Sequence, residues 1–326
     1  MAILDIKDRK LLYYLSLDAR TSDTQLAKKI GLSKNAVKYR TQRLLKEGII
    51  KNFAAVVNLG AANFTTVTLL LRFNEDIYEK KEIIEYFKNH EFADWVVSLS
   101  GQWDLFVELA IKDFIHLDKL ILEITNHFGT QLNTYQLFFS SYTLRVEHLI
   151  ADFYKDLELE LPAKPRTFQD YTLDAIDKKI LYLLNQDSSL PYHTIAQKLE
   201  TTMDVVRYRM KNLVNKGIII KFFPEISLPK LGYTEYLYTI KLKNVSQEKM
   251  DSIKKRIQTN QNVTYAFVDI TGFNLIFVCA FKTPEGIDHL SRNIRKEYSE
   301  MIQEQEYLII KEQILFNLFP RGILNT

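Results

Sequence analysis

The chain of 326 residues contains an internal repeat, which restricts its possible folds more than any other feature. Residues 4–50 align without a gap on residues 173–219 at a constant offset of 169, with 17 identical pairs among 47 positions. A second match relates residues 100–105 to residues 271–275. Self-similarity over such a length indicates that one structural unit occurs twice. Each half therefore contains the same two modules in the same order.

The first module has the hydrophobic period of three short helices. Apolar residues recur at helical spacing in residues 6–15 and 26–30, and again on one face of residues 34–45. Gly31 follows the second stretch, where a left-handed residue is common, and Ser33 is suited to cap the third. Two helices, a tight turn with glycine and a third helix have the spacing of a helix-turn-helix unit.

The second module changes to the alternating pattern of a half-buried strand. Val67, Leu69, Leu71 and Phe73 alternate with other residues, and a helix, two strands around Gly101, a second helix and a last strand follow. This order is that of a ferredoxin-like unit. The predicted fold class is therefore α+β, with two tandem copies of a winged or helix-turn-helix domain followed by a ferredoxin-like βαββαβ domain.

The repeat also predicts the domain boundaries. Residues 1–52 and 172–222 are assigned to helix-turn-helix domains, and residues 53–150 and 223–326 to ferredoxin-like domains. Residues 151–171 are acidic, contain two prolines and are interpreted as a linker. At up to about 3.3–3.6 Å per residue, this linker allows the two ferredoxin-like domains to pack together within one chain. We therefore expect an internal pseudo-dimer, with which a homodimer of chains is compatible.

Positive charge is concentrated in the two helix-turn-helix modules, although the net charge of the chain is only +3. Residues 1–52 hold twelve Lys and Arg against five Asp and Glu, and residues 173–222 hold eight against five. Cationic and amide side chains on one helix face are suited to phosphates and base edges, so we expect double-stranded DNA as the partner. The predicted DNA contacts are Ser33, Lys34, Asn35, Lys38, Tyr39, Gln42, Arg43, Thr202, Arg207, Tyr208 and Lys211.

The second copy is predicted to bind DNA less tightly than the first. Glu200 replaces the turn glycine, Gly31, and it introduces a negative charge beside the third helix. Asp204 replaces Asn35 at a position where a carboxylate would meet phosphate. The second unit is therefore expected to bind more weakly, to read a different half-site, or to serve mainly as structure.

Arg40 and its counterpart Arg209 are predicted to have a structural role. Both lie on the inward stripe of the third helix in their copy. Because a buried, unpaired guanidinium is unfavourable, we expect ion pairs with Asp8 and Asp177 on the first helices in preference to base contacts.

The sequence contains no recognisable catalytic or metal-binding motif. The six histidines are scattered without metal-ligand spacing, and there is no glycine-rich phosphate loop or paired-cysteine motif. Cys279, the single cysteine, lies in an apolar run that indicates a buried, inert thiol, and it fits a reducing compartment. The apolar runs are too short to cross a bilayer, and residues 1–9 lack the apolar core of a secretory signal. We expect a cytoplasmic protein without a cofactor, a metal, membrane contact or enzymatic activity.

Two sets of residues carry a resemblance to a known family. Gly31-Leu32-Ser33, Val37, Arg40, Leu44 and Gly48-Ile49-Ile50 resemble the helix-turn-helix of the Lrp/AsnC regulators, the feast/famine family. Ser100-Gly101-Gln102-Trp103-Asp104-Leu105 looks like the Gly-x-x-Asp turn of that family's ligand-sensing domain. The resemblance extends over both halves, so the chain looks like a tandem, double-length member.

This resemblance implies a sequence-specific transcription regulator that responds to an amino acid or a related small molecule. By similarity, the effector would lie beside Gly101 and Asp104 in the first copy. The corresponding residues of the second copy are Gly272 and Asn274, so an amide stands there in place of the acid.

Two other classes of protein share features with this sequence. Sirohaem decarboxylases resemble it in their two-module build and also occur as fused copies. The histidine-bearing segment expected of that family has no counterpart in residues 53–64 or 227–233. The other class is an interaction protein that retains the fold without binding DNA, and the strongly basic first copy argues against it.

Overall fold

The computed structural model describes residues 4–78, 81–159, 171–243, 245–271 and 275–325. The first half contains α1 (Ile6–Leu17), α2 (Asp23–Ile30), α3 (Lys34–Lys46), β1 (Ile50–Val57), β2 (Thr65–Phe73), α4 (Lys81–Asn89), β3 (Ala93–Ser100), β4 (Leu105–Ile111), α5 (Phe114–Phe128) and β5 (Leu132–Val146). The second half contains α6 (Ala175–Gln186), α7 (Tyr192–Lys198), α8 (Met203–Asn215), β6 (Ile219–Ile226), β7 (Thr234–Leu242), α9 (Gln247–Gln258), β8 (Val263–Asp269), β9 (Leu275–Phe281), α10 (Pro284–Tyr298) and β10 (Ile302–Phe316). The predicted α+β class and the predicted order of elements are confirmed.

Side-chain caps fix the helix ends in the first helix-turn-helix unit. The Asp5 carboxylate accepts a hydrogen bond from the Asp8 backbone N–H at 2.8 Å, and the Asp8 carboxylate accepts one from the Asp5 N–H at 3.1 Å. The Ser33 hydroxyl accepts one from the Ala36 N–H at 3.1 Å, where α3 begins. Gly31 ends α2 with a φ of 72°, in the left-handed region that favours glycine. The local sequence thus sets the tight turn before α3, as predicted.

The strands of the two ferredoxin-like units form one closed barrel in the order β10-β3-β4-β2-β5-β8-β9-β7. Two 15-residue strands join the halves. The first part of β5 pairs with β2, and its last part pairs with β8, where Ser140 lies opposite Asp269. Likewise, β10 pairs first with β7 and then with β3, where Ile309 lies opposite Ser100. Closure pairs the edge strands of both units with each other inside one chain.

A two-stranded sheet, which the sequence analysis did not predict, also joins the halves. β1 and β6 run antiparallel, with Asn52 opposite Glu225 and Ala54 opposite Phe223. Each strand follows the third helix of its own helix-turn-helix unit, and α1 packs on β6 while α6 packs on β1. The strand pair therefore connects both helix-turn-helix units to the barrel.

Each helix-turn-helix unit packs against the ferredoxin-like unit of the other half. Leu12 and Leu44 of the first unit are fully buried, and their core cluster includes Leu228 and Tyr233 from the second half. The core cluster of the second unit includes Phe64 from the first half. A fully buried side chain of this size contributes about 1.5–3 kcal/mol, so this crossed packing fixes the position of each unit.

The predicted start of the linker at residue 151 needs correction. Short 3₁₀ turns cover Ala151–Phe153 and Lys155–Leu157, and Phe153 and Tyr154 are buried in the core of the first helix-turn-helix unit. Arg9 of α1 donates a hydrogen bond from Nε to the Phe153 carbonyl at 3.1 Å. The acidic residues of this segment are typical of a linker, but its aromatic residues, Phe153 and Tyr154, pack into the core of the first helix-turn-helix unit. Residues 160–170 of the predicted linker lie outside the described residues.

Within the described ranges, no helix has both the length and the apolar character needed to cross a membrane. Cys279 lies on β9 and is fully buried, as predicted, and burial raises the pKa of its thiol.

Candidate nucleic-acid interface and central cavity

The outward face of α3 carries the predicted DNA contacts of the first copy. Val37 and Leu44 on the opposite face are fully buried, which turns the polar residues of the helix towards solvent. The exposed side chains on the outward face are Lys34, Asn35, Lys38, Tyr39 and Gln42. Ser33 is also exposed, at the N-terminal end of the helix. Cations and amides are thus grouped on one face of a helix that follows a tight turn, an arrangement suited to phosphates and base edges.

Two arginines of α3 are engaged with an acidic residue of α1. Arg40 Nη1 lies 2.7 Å from both Asp5 Oδ2 and Asp8 Oδ1, and Arg43 Nη2 lies 2.5 Å from Asp8 Oδ2. The hydrogen bonds to Asp8 and Asp5 raise the pKa of Arg40 above its ordinary value. The predicted structural ion pair of Arg40 is confirmed. The assignment of Arg43 to the DNA-binding face needs correction, because its guanidinium is directed at buried Asp8.

The corresponding face of α8 is weaker in positive charge. Thr202 caps the helix by accepting a hydrogen bond from the Val205 N–H at 3.3 Å. The exposed predicted contacts on this helix are Arg207, Tyr208 and Lys211. Arg207 Nη1 lies 3.2 Å from the exposed Asp204 Oδ1, and the guanidinium lies over the Tyr192 ring at 5.7 Å. The charge of Arg207 is therefore partly neutralised inside the unit.

The ion pair under α8 differs from the one under α3. Arg209 Nη1 lies 3.0 Å from Asp177 Oδ1, which confirms the second predicted pair. The counterpart of Arg43 is Asn212, and the Tyr171 hydroxyl donates a hydrogen bond to Asp177 Oδ2 at 2.8 Å. One cation and one neutral donor thus satisfy Asp177, whereas two cations face Asp8.

The predicted effector turn is occupied by contacts within the chain. Asp104 Oδ2 accepts a hydrogen bond from the Phe73 N–H at 2.7 Å, and burial raises the pKa of Asp104. Gly101 has a φ of 139°, and a Cβ there would collide with the Leu308 side chain of β10. Gly101 and Asp104 therefore lie in one turn. Asp104 bonds this turn to the end of β2, and Gly101 allows the close contact with β10 of the other half. Gly272 and Asn274 lie outside the described residues.

A cavity of about 680 Å³, which the sequence analysis missed, lies between the β1–β6 pair and the barrel. Its lining combines carboxylates with aromatic rings from both halves. The acidic lining residues are Asp94, Glu108, Glu147, Glu225 and Glu235. The aromatic lining residues include Trp95, His148, Phe223, Tyr265 and Phe316. Within the described part of the chain, no group of three or more His, Cys, Asp and Glu is arranged to hold a metal ion.

The acids of the cavity wall are held in an environment that favours their neutral forms. Asp94 is 2% exposed and Glu108 is 6% exposed, and the Tyr265 hydroxyl donates to Glu108 Oε1 at 3.0 Å. Burial raises the pKa of Glu108 to about 7, and burial together with the neighbouring Glu108 raises the pKa of Asp94. Burial likewise raises the pKa of Glu235 to about 7.

A sequence signal for this cavity exists in the barrel strands. β4 reads LFVELAI, so Glu108 interrupts a strand whose other residues are all apolar. β3 carries Asp94 between Ala93 and Trp95. A carboxylate in a strand that is buried throughout needs a special environment, and this pattern could have indicated an internal polar site.

Comparison with known proteins agrees with the helix-turn-helix geometry. Residues 4–51 match the family described as winged helix-turn-helix DNA-binding, and residues 173–214 match the AsnC-type helix-turn-helix domain. An HTH-type transcriptional regulator of Pyrococcus horikoshii is 30% identical over 120 residues, which cover 37% of this chain and 75% of that protein. One from Pyrococcus furiosus is 32% identical over 123 residues, which cover 37% of this chain and 82% of that protein. The chain belongs to the Lrp/AsnC family of transcriptional regulators.

The double-length arrangement of this Lrp/AsnC regulator also occurs in a solved structure. The siroheme decarboxylase NirDL superimposes with a TM-score of 0.65 over 98% of this chain and 97% of that one, at 12% identity. It has also been solved in complex with an iron-uroporphyrin III analogue. At this identity the likeness shows that the two proteins share the whole two-module, two-copy fold.

We expect the stability of this Lrp/AsnC regulator to depend on pH through Glu108. The folded-state pKa of Glu108 is about 7, above the ordinary 4.5. Its contribution to the free energy of unfolding is therefore fully present below about pH 4.5 and is lost as the pH rises through 7. Glu108→Gln stays neutral and escapes this loss, which is on the order of 2–3 kcal/mol. The melting temperature of the variant minus that of the wild type should therefore be several degrees larger at pH 8 than at pH 5.

The control for this measurement is Glu82→Gln, which removes an exposed carboxylate from α4. Its melting temperature should follow that of the wild type at both pH values. An equal effect of Glu108→Gln at pH 5 and pH 8 would contradict the assigned environment, which includes Asp94 of β3, Thr66 of β2 and Tyr265 of β8.

Proposed function

We propose that this regulator binds specific sequences of double-stranded DNA through the outward faces of α3 and α8, with α3 contributing more of the affinity. The observation that carries the proposal is the exposed group of cationic and amide side chains on α3. Phosphate contacts position a protein on DNA, and amide and cationic contacts to base edges provide the sequence preference. The Asp204–Arg207 pair on α8 supports the weaker contribution of the second unit.

Selection of bound fragments from random or genomic DNA tests this function. We expect one enriched motif whose retention falls steeply with salt, as it does for proteins that neutralise phosphates. The same selection is repeated with each member of a panel of amino acids. Fragments that are retained equally whatever their sequence would contradict sequence-specific regulation.

We also propose that one chain supplies both helix-turn-helix units of the DNA-binding assembly. The crossing of β5 and β10 between the halves supports this proposal, because these strands supply the sheet pairing for which separate chains would otherwise be needed. A dimer of two such chains remains compatible with the fold.

A designed disulfide tests this internal pairing. Ser100 and Ile309 are opposite each other on β3 and β10, so Ser100→Cys with Ile309→Cys should oxidise to a crosslink within one chain. On a non-reducing gel the product should keep the mass of a single chain, and each single variant is the control. A crosslinked pair of chains as the main product would overturn the proposal.

A small-molecule effector is the third part of the proposed function. Family membership supports such a response, and the turn at Gly101 and Asp104, with Gly272 and Asn274 as its second-copy counterpart, stays the proposed place for an amino acid. A change of DNA affinity with one member of the amino-acid panel, absent from Asp104→Asn, is the expected result. An unchanged selection with every amino acid would contradict this placement.

A sirohaem decarboxylase is the second candidate function, and the whole-chain likeness to NirDL favours it. The sequence argues against it, because the histidine-bearing segment expected of that family has no counterpart in residues 53–64 or 227–233. Incubation with sirohaem and an absorbance scan separate the two functions. We expect no spectral change, and a progressive change with release of carbon dioxide would support the enzyme.

A further inference from the structure

We propose that the central cavity binds an organic cation, an amine carried on an apolar or aromatic body, and that its binding changes the DNA affinity of the chain. The regulatory half of this inference rests on the proposed function, whereas the binding half does not. The volume of about 680 Å³ is within the range of small-molecule sites, which are typically about 300–1,000 Å³.

The ammonium end of the ligand is assigned to the carboxyl pair of β3 and β4. Asp94 and Glu108 line the cavity and are almost fully buried. The Asp94 side chain is hydrogen-bonded to Glu108, but its Oδ1 is a buried atom without a hydrogen-bond partner among the described residues. Buried polar atoms are normally satisfied, so a carboxyl oxygen without a partner on a cavity wall indicates a donor that is supplied from outside. An ammonium group supplies both the donor and the opposite charge.

The body of the ligand is assigned to the aromatic wall. The rings of Trp95 and Tyr265 are 5.4 Å apart at 84°, and those of Trp95 and Phe316 are 6.4 Å apart at 84°. His148 stacks on Phe223 with a centroid distance of 3.4 Å. Aromatic faces attract cations and bury apolar groups, which distinguishes this site from one for a small hydrated metal ion.

A third carboxyl group, that of Glu235, also favours a positively charged ligand. Glu235 of β7 lines the same cavity, and the charge of Lys51 on β1 partly offsets the rise in the pKa of Glu235. Lys51 is itself 3.6 Å from Glu225 of β6, so its charge is shared between two acids. A cation bound in the cavity would favour the ionised forms of Glu108 and Glu235, whereas a bound anion would oppose their ionisation.

The position of the cavity connects it to both DNA-binding helices. β1 contributes Val56 and Val57 to the wall, and β6 contributes Ile220 and Phe223. β1 follows α3 after three residues, and β6 follows α8 after three residues. A ligand held between this strand pair and the barrel contacts β1 and β6, which lead directly from α3 and α8. Ligand binding that favours one arrangement of these strands would therefore change the affinity of α3 and α8 for DNA.

Calorimetry with 2-phenylethylamine and its neutral analogue 2-phenylethanol tests the binding half. We expect the amine to bind at least about tenfold more tightly than the alcohol. The amine stays protonated between pH 6 and pH 8, while acids with a pKa of about 7 ionise, so its affinity should rise roughly tenfold over this range. Equal affinities for the amine and the alcohol, or no binding by the amine, would overturn the proposal.

Two variants place the ligand in the cavity. Glu108→Gln should weaken the binding of 2-phenylethylamine at least tenfold at pH 8 and should flatten its pH dependence. The groups facing Glu108 are Asp94 on β3, Thr66 on β2 and Tyr265 on β8, and they remain in this variant. Glu82→Gln on α4 is the matched control and should bind the amine like the wild type. Equal affinities of the two variants would exclude the cavity.

Titration of the selected DNA fragment with and without saturating 2-phenylethylamine tests the regulatory half. We expect a change in DNA affinity of about fivefold or more, the lower range of allosteric coupling, and its loss in Glu108→Gln. Amine binding with unchanged DNA affinity would overturn the regulatory half. If the chain binds no DNA at all, the proposed function fails, and calorimetry still decides whether the cavity binds the cation.

Discussion

Replacing Lys38 and Gln42 together with alanine is expected to lower the affinity for the selected DNA by about a hundredfold. Loss of a lysine that contacts phosphate reduces the slope of log affinity against log salt concentration by about one unit. Loss of a glutamine at a base edge costs about 1–3 kcal/mol and relaxes the preference at that base pair. Both side chains are exposed on α3 and neither has a structural partner in the ion-pair cluster with Asp8, so the fold should be unaffected. Fluorescence anisotropy over a series of salt concentrations measures both effects.

The matched control for this variant lies on the second copy. Arg207→Ala with Lys211→Ala changes the positions related to Lys38 and Gln42 by the repeat. Because Asp204 already neutralises part of the charge of Arg207, the second variant should lose less affinity than the first. Equal losses would contradict the asymmetry between the units. Wild-type affinity for the Lys38 and Gln42 variant would contradict the assignment of α3.

Replacing Asp8 with alanine is expected to destabilise the first helix-turn-helix unit by about 3 kcal/mol. Asp8 is 1% exposed and faces two guanidiniums, so its removal takes one counter-charge from Arg40 and leaves Arg43 with only the Glu47 carboxylate, 3.9 Å from its Nε. Breaking a buried ion pair from one side costs about 3–5 kcal/mol. We expect the lower end of this range because both arginines are partly exposed and Arg40 keeps its contact with Asp5.

Hydrogen exchange measures this loss locally in a chain of several units. Amides of α1 and α3 should exchange about a hundredfold faster in Asp8→Ala, while amides of β4 should keep their wild-type rates. Asp177→Ala is the matched variant, and its effect on α6 and α8 should be smaller because Asp177 faces one arginine and a tyrosine hydroxyl. Unchanged exchange in α1 and α3 would show that the pair does not stabilise the unit.

The amino-acid sequence by itself determined the local structure of both repeats. Gly31 and Ser33 specified the turn and the start of α3, and the inward position of Arg40 indicated its ion pair with Asp8. These features depend on residues that are close along the chain, or on the facing stripes of two short helices. Their physical causes, backbone conformation, capping and the cost of a buried charge, can be read from residue type and spacing.

The tertiary structure alone decided how the two halves combine. Nothing in the spacing of residues 132–146 shows that β5 pairs with β2 up to Phe139 and with β8 of the other half from Ser140. The pairing of β1 with β6 and the use of Phe153 to close a core also depend on contacts between residues far apart in the chain.

The central cavity has the same origin. Asp94 and Glu108 could be recognised in the sequence as charged residues in apolar strands, but Tyr265, Phe223 and Glu235 join them only when the barrel closes. Local preferences fix each element, whereas register, strand exchange and enclosed space arise from the simultaneous packing of all the elements. The recognition helix could therefore be predicted from the sequence, and the cavity could be found only in the folded chain.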